Sequence, residues 1–163
     1  MYKSVCLVTL FAATLTLAAS TVALAQVDPA AVLKQHVDAI AKGDVAGALA
    51  QYADDAVIDG LAGLCAAAPC VGKAAIQKEL ERRVADKQHA TILKTYVSGN
   101  VVTFRAEARN NTVQKAGVER IIIWGIYEMK GDKISSVHAA QAERTDPQTA
   151  RFIEWLRAQP PAK

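Results

Sequence analysis

Two side chains of this sequence have the chemistry for proton transfer, His36 and Asp59. His36 lies on an apolar stripe, Leu33, His36, Val37 and Ile40, spaced like one face of a helix. An imidazole there, with a pKa near neutral, suits a general acid or base. The plainer reading is a buried neutral histidine held by a hydrogen bond, because a lone histidine needs a positioned partner to act. Asp59, at the end of a short extended segment, is the available partner, and a buried His–Asp pair would make an acid–base unit. Asp59 equally suits a cap for the loop that follows. Asp54-Asp55 look like paired carboxylates, but they fall where a helix gives way to a strand, and Asp is favoured in turns for its bonds to its own backbone. His89 falls in a polar connection and is expected to be exposed. No ligand cluster and no glycine-rich phosphate loop is legible, so no metal and no cofactor is expected.

Residues 1–25 read as a cleavable export signal. Lys3 gives the positive start, Val5 to Leu17 is apolar apart from three threonines, and Ala23-Leu24-Ala25 is a cleavage site before Gln26. Ala, Ser and Thr dilute the stretch too much for a membrane anchor, so no membrane association is expected after cleavage. The rest, 26–163, is the size of one domain. The chain's net charge is only +3, with Lys3 of the leader included, and no basic cluster is interleaved with aromatics, which argues against nucleic acid. Arg82-Arg83, with Lys78 and Lys87, reads as a solvated helix face. Cys6 is lost with the leader, leaving Cys65 and Cys70; an even count in an exported chain reads as a disulfide. A periplasmic or secreted location follows from the same signal.

The elements that must position these residues are legible from periodicity. Asp28-Pro29 opens a first helix that ends at Gly43. Asp44 caps a second, with Val45, Ala48, Leu49 and Tyr52 inward. A short strand at 56–59 and a loop at 60–72 precede a third helix over 73–84. From about residue 90 the period becomes alternating, giving strands at 91–97, 101–109, 118–129 and 134–141, and Asp146-Pro147 caps a last helix. Helices first and an antiparallel meander afterwards means α+β, with the helices on one face of the sheet.

This order resembles the nuclear-transport-factor-2-like superfamily, which includes ketosteroid isomerase and the SnoaL-like polyketide cyclases. The matching stretches are Lys42-Gly43-Asp44, the run from Tyr52 to Asp59, Val71-Gly72-Lys73-Ala74-Ala75-Ile76, and Gly131-Asp132-Lys133-Ile134. The resemblance implies a cone-shaped fold, with N-terminal helices packed on a curved antiparallel sheet around a pocket, plus a C-terminal helix. It turns His36 toward that pocket and puts Asp59 at its mouth. Ketosteroid isomerase works with a carboxylate base and an oxyanion hole of Tyr and protonated Asp. Those positions fall here on Gly60, on His36 and on Gly125 or Trp124, so that mechanism is not expected. The cyclases use an Asp and a His, and His138 is one residue out of register for that role.

The implied pocket is lined by Leu33, Ile40 and Tyr52 from the helices and by Ile121, Ile123, Gly125, Tyr127, Val137 and Gln141 from the sheet, with Gly125 widening it. Ile122, Trp124 and Ile126 then face outward, an apolar surface that suits a homodimer unless the last helix covers it. Three functions remain open. The first is binding of a small, largely apolar molecule in the cone. The second is cofactor-free isomerisation, cyclisation or hydration by His36 and Asp59. The third is protein binding through the outer sheet face.

Overall fold

The computed structural model describes residues 27–60 and 63–159, with 139 and 140 described for their backbone only. The export signal read in residues 1–25 lies outside the described residues. Asp28 starts helix α1 (Pro29–Ala41) by accepting the Ala30 N–H at 3.0 Å, with Pro29 in the first turn. Gly43, at a φ of 76°, ends it in a conformation that favours glycine. Asp44 opens α2 (Val45–Ala50) by accepting the Gly47 N–H at 2.8 Å. Then come β1 (Tyr52–Asp59), β2 (Cys70–Val71), α3 (Gly72–Ala85), β3 (His89–Ser98), β4 (Val101–Arg109), α4 (Asn111–Lys115), β5 (Ile121–Lys130), β6 (Lys133–Ala142) and α5 (Pro147–Ala158).

The strands form one sheet in the order β2-β1-β6-β5-β4-β3. All neighbours are antiparallel except β1 and β6, which run parallel. Register shifts within the β1–β6, β3–β4 and β5–β6 pairs bend the sheet, since an extra residue on one strand kinks it and raises its twist. Helices α1 and α3 lie on the concave face. Leu33, Ile40, Ile76 and Leu80 meet Ile58, Val102, Phe104, Tyr127, Ile134 and Val137 in the main core. A second, smaller core joins Phe152 of α5 to Ala108, Val113, Val118 and Ile121. This is the expected α+β cone with a C-terminal helix.

Four local expectations change. Tyr52 belongs to β1 and not to α2, because the helix stops at Gln51. Asp54 and Asp55 are not a turn; they stand exposed on β1, paired with Lys73 at 2.7 Å and Lys130 at 3.4 Å. Between β4 and β5 lies α4, capped by Asn110, whose side chain accepts the Val113 N–H. Asp86 fixes this helix to the end of α3 through the Thr112 hydroxyl and backbone N–H. Cys70 and Val71 form a short edge strand on β1. The Cys65–Cys70 disulfide is present, with Cα atoms 5.1 Å apart. So short a loop contributes only about 2 kcal/mol by chain entropy, so it fixes the loop before α3 more than it holds the domain.

Candidate functional site

Between α1, the end of α3 and the concave sheet face lies a cavity of about 60 Å³, lined by Val37, Ile40, Arg83, Gln88, Phe104 and Tyr127 among others. Of the residues expected to line a pocket, Ile40, Ile123, Gly125, Tyr127 and Val137 do so. Leu33 and Tyr52 are instead sealed in the main core. Ile121 packs in the second core under Phe152. Gln141 is exposed, pairs opposite Trp124 and is not part of the cavity lining. A larger open groove of about 730 Å³ runs between α3 and α4. Its wall is made of solvated polar side chains, including the Asp86–Thr112 bonds that hold α4, so it is a surface furrow rather than the site.

Gly125 does not widen the cavity. Its missing side chain is replaced by the ring of Phe104 across the sheet, and an added Cβ would lie 2.7 Å from Phe104 Cε1. The Phe104 ring in turn meets Tyr127 edge-on, centroids 5.3 Å apart. The Phe104 ring therefore occupies the space that the glycine leaves. The substitution Gly125→Ala is expected to force Phe104 off its rotamer and cost about 1–3 kcal/mol. A urea midpoint unchanged from wild type would show that the ring yields freely.

His36 is buried with its Nε2 3.2 Å from the Tyr52 hydroxyl. Tyr127 lies edge-on to the imidazole at 5.6 Å. Burial, helped by the nearby charge of Arg83, lowers the His36 pKa to about 3, with the Ala48 backbone opposing. The ring is thus neutral, and the Tyr52 O–H donates to Nε2 when the ring proton sits on Nδ1. Among the described residues that Nδ1 has no partner of hydrogen-bond geometry. Burial also raises the Tyr52 phenol, and it raises Tyr127 to about 12.

The expected His36–Asp59 pair does not form. Asp59 is 60% exposed, and its neighbour is His138, whose Nδ1 lies 3.7 Å away. The parallel pairing of β1 and β6 sets these two side by side, while Ile58 and Val137, one residue earlier, point into the core. His138 stands opposite Ile126 on the sheet and is one of the residues that border the cavity. The sealed, neutral His36 has the structural character that competed with the catalytic one.

The charged group at the cavity comes from the dipeptide read as a solvated face. Glu79 is fully buried on α3 and accepts from Arg82 Nε at 2.8 Å, Arg82 Nη2 at 2.9 Å, Arg83 Nε at 2.8 Å and the Leu64 N–H at 3.0 Å. Burial pushes its carboxyl up, but the Arg82 and Arg83 contacts outweigh that and hold it at about 2. Arg83 is only 12% exposed and reaches the cavity wall. The spacing that could have found it is Ile76, Glu79, Leu80, Arg83 and Val84, which puts both charges beside the apolar stripe.

On the outer face, Ile122 is already buried at 3% exposure and adds little to any contact surface. Trp124 and Ile126 remain half-buried. Trp124 stacks on Tyr96 at 6.3 Å and donates its Nε1–H to Glu143, which also binds Arg105. Phe152 of α5 packs at one end of the sheet, in the second core.

Known proteins share this architecture. An NTF2-like protein of unknown function from Cytophaga hutchinsonii is 15% identical, with a TM-score of 0.58 over 74% of this chain and 94% of that one. An LEH-like epoxide hydrolase from M. tuberculosis is 13% identical, with a TM-score of 0.59 over 80% and 92%. The epoxide hydrolase/cyclase-like enzyme SalBIII, of pyran ring formation in the polyether salinomycin, is 16% identical, with a TM-score of 0.59 over 72% and 92%. A search of curated proteins returns no match. The family model of the SnoaL-like domain matches residues 33–137, from α1 through the middle of β6, and the chain belongs to that family.

Proposed function

We propose that this is an exported SnoaL-like domain that binds a small, largely apolar molecule in its cone and does not transform it. The observation that carries this reading is the composition of the cavity wall. Aliphatic and aromatic residues surround four polar ones, Arg83, Gln88, Tyr127 and His138, the pattern of a binding site with few convergent polar groups. Of the nearby carboxylates, Glu79 is committed to four N–H donors, and Asp59 is 60% exposed beside His138. A cavity of about 60 Å³ is well below the ~300–1,000 Å³ of sites that engulf a drug-sized ligand. The bound group is therefore small, or the ligand enters as the Phe104 ring turns aside. The Cys65–Cys70 bridge is compatible with an oxidising compartment and supports export.

Native mass spectrometry of the protein purified from its exported fraction tests the reading. A co-purifying small molecule, released on denaturation, is the expected result. Turnover of a candidate substrate that is abolished by His36→Gln would overturn it in favour of the enzyme.

The outer face suits a second copy of the chain. Tyr96, Trp124 and Ile126 supply its apolar surface. Arg105, Arg109 and Arg120 meet Glu107, Glu143 and Asp146, three cations to three carboxylates, and Lys94 lies over the Tyr96 ring, so the face carries little net charge to oppose a second copy. Light scattering at micromolar concentration is expected to give twice the chain mass, and a monomer would dispose of the dimer.

A further inference from the structure

We infer that the ligand of this cavity carries a carboxylate, received by Arg83. The inference rests on the binding function proposed above and names the chemical class that the site selects. Arg83 carries five N–H donors, and among the described residues only its Nε has an acceptor, Glu79 Oε1 at 2.8 Å. Glu79 cannot take more, because its two oxygens already receive four N–H groups. The group as a whole, two guanidinium ions on one carboxylate, keeps a net positive charge. Arg82 is 33% exposed and has Asp86 within 3.9 Å, so its charge is shared with solvent and with that carboxylate. Arg83 is the more buried of the two, and it is the one that borders the cavity.

The free fork of Arg83 opens on the cavity, and its planar geometry matches the two oxygens of a carboxylate. Two neutral groups stand by to complete such a site. The Tyr127 hydroxyl has no hydrogen-bond partner among the described residues, and burial raises its pKa to about 12, so it can donate. The Gln88 side chain has no intramolecular partner among them either, and it lines the same cavity. In the same cavity, Val37, Ile40 and Ile123 offer an apolar wall for a short hydrocarbon body. The volume of about 60 Å³ admits a carboxylate head and few further atoms without rearrangement. Glu79 orients Arg83 by holding its Nε end, so Glu79 is a positioning residue and Arg83 the binding one.

The probes are sodium butyrate, its neutral counterpart 1-butanol and the cation butylammonium, each titrated into the folded domain at constant ionic strength. Binding is followed by two-dimensional NMR of backbone amides and by calorimetry. Saturable binding of butyrate is expected, with shifts at α3 and β5, at an affinity at least tenfold above that of 1-butanol, and with no binding of butylammonium. Arg83→Met should weaken butyrate about tenfold or more while leaving 1-butanol unchanged. Tyr127→Phe, which keeps the ring, should give a smaller loss and serves if the arginine variant does not fold. Equal binding of butyrate and 1-butanol would overturn the carboxylate assignment and leave the proposed binding function standing. Failure of all three probes, together with an empty protein by native mass spectrometry, would remove both.

Discussion

Replacing Glu79 by Leu should destabilise the domain by about 3–5 kcal/mol, the penalty for leaving a buried charge without its partner. The argument starts from what Glu79 satisfies. Four donors converge on its two oxygens, from Arg82, Arg83 and the Leu64 backbone. Arg82 can turn to water, being 33% exposed, but Arg83 cannot do so without leaving the cone. The Leu64 N–H belongs to the disulfide loop, so the same substitution unties that loop from α3. The double variant Glu79→Leu/Arg83→Met should recover much of the loss, because an apolar pair of similar volume replaces the buried ions. Urea unfolding of the four proteins closes a double-mutant cycle, in which the two substitutions should be strongly non-additive. Additive losses would mean that Arg83 finds an acceptor elsewhere and that the pair is not coupled.

The same group shows which parts of the fold were legible in the sequence. Helix starts were, because the caps are local. Asp28, Asp44 and Asp146 each bond the backbone within three residues of themselves. The strand at Val101–Arg109 was legible because its alternation is strict, with Val102, Phe104, Ala106 and Ala108 all buried. Glu79 and Arg83 were not, because charged residues on a helix are usually solvated. Only the packing of α3 against β1 and the loop at Leu64 makes these two interior. Asp59 was placed near the right strand end but given the wrong partner. Its real neighbour, His138, arrives through the parallel pairing of β1 with β6, a contact between distant segments that no local pattern encodes. The cavity shrank for a similar reason. Gly125 and Phe104 were each legible as inner-face residues of their own strands, but the register that lays the ring over the glycine exists only between strands. Helix α4, five residues long, offered too little periodicity to register.

The other large effect expected is with acid, and it belongs to His36. In the unfolded chain this imidazole titrates near 6.5, and in the folded domain at about 3. Between those values the unfolded state holds a proton that the folded state refuses. Stability therefore rises with pH across this window and is lost as pH falls through it. Above 6.5 both states are neutral and the group makes no difference. Each unit of difference is worth about 1.4 kcal/mol, so the whole window amounts to roughly 4–5 kcal/mol, comparable to the full stability of a small domain. Glu79 and Asp146, each held at about 2 in the fold, act with the same sign but only as pH falls below the ordinary carboxylate range. The loss between pH 6.5 and 4.5 is thus specific to histidine, about 2–3 kcal/mol. The groups around His36 are the neutral phenols of Tyr52 and Tyr127, the cation Arg83 and the Ala48 backbone; only the last favours an imidazolium, and burial with Arg83 outweighs it. Urea midpoints at half-unit steps should show this slope in wild type. His36→Gln should be less stable at neutral pH, since the Tyr52 hydroxyl loses its fitted acceptor, yet nearly flat above pH 4.5. A variant that kept the wild-type slope would mean that His36 gains its proton without unfolding the cone, and the buried neutral assignment would fall.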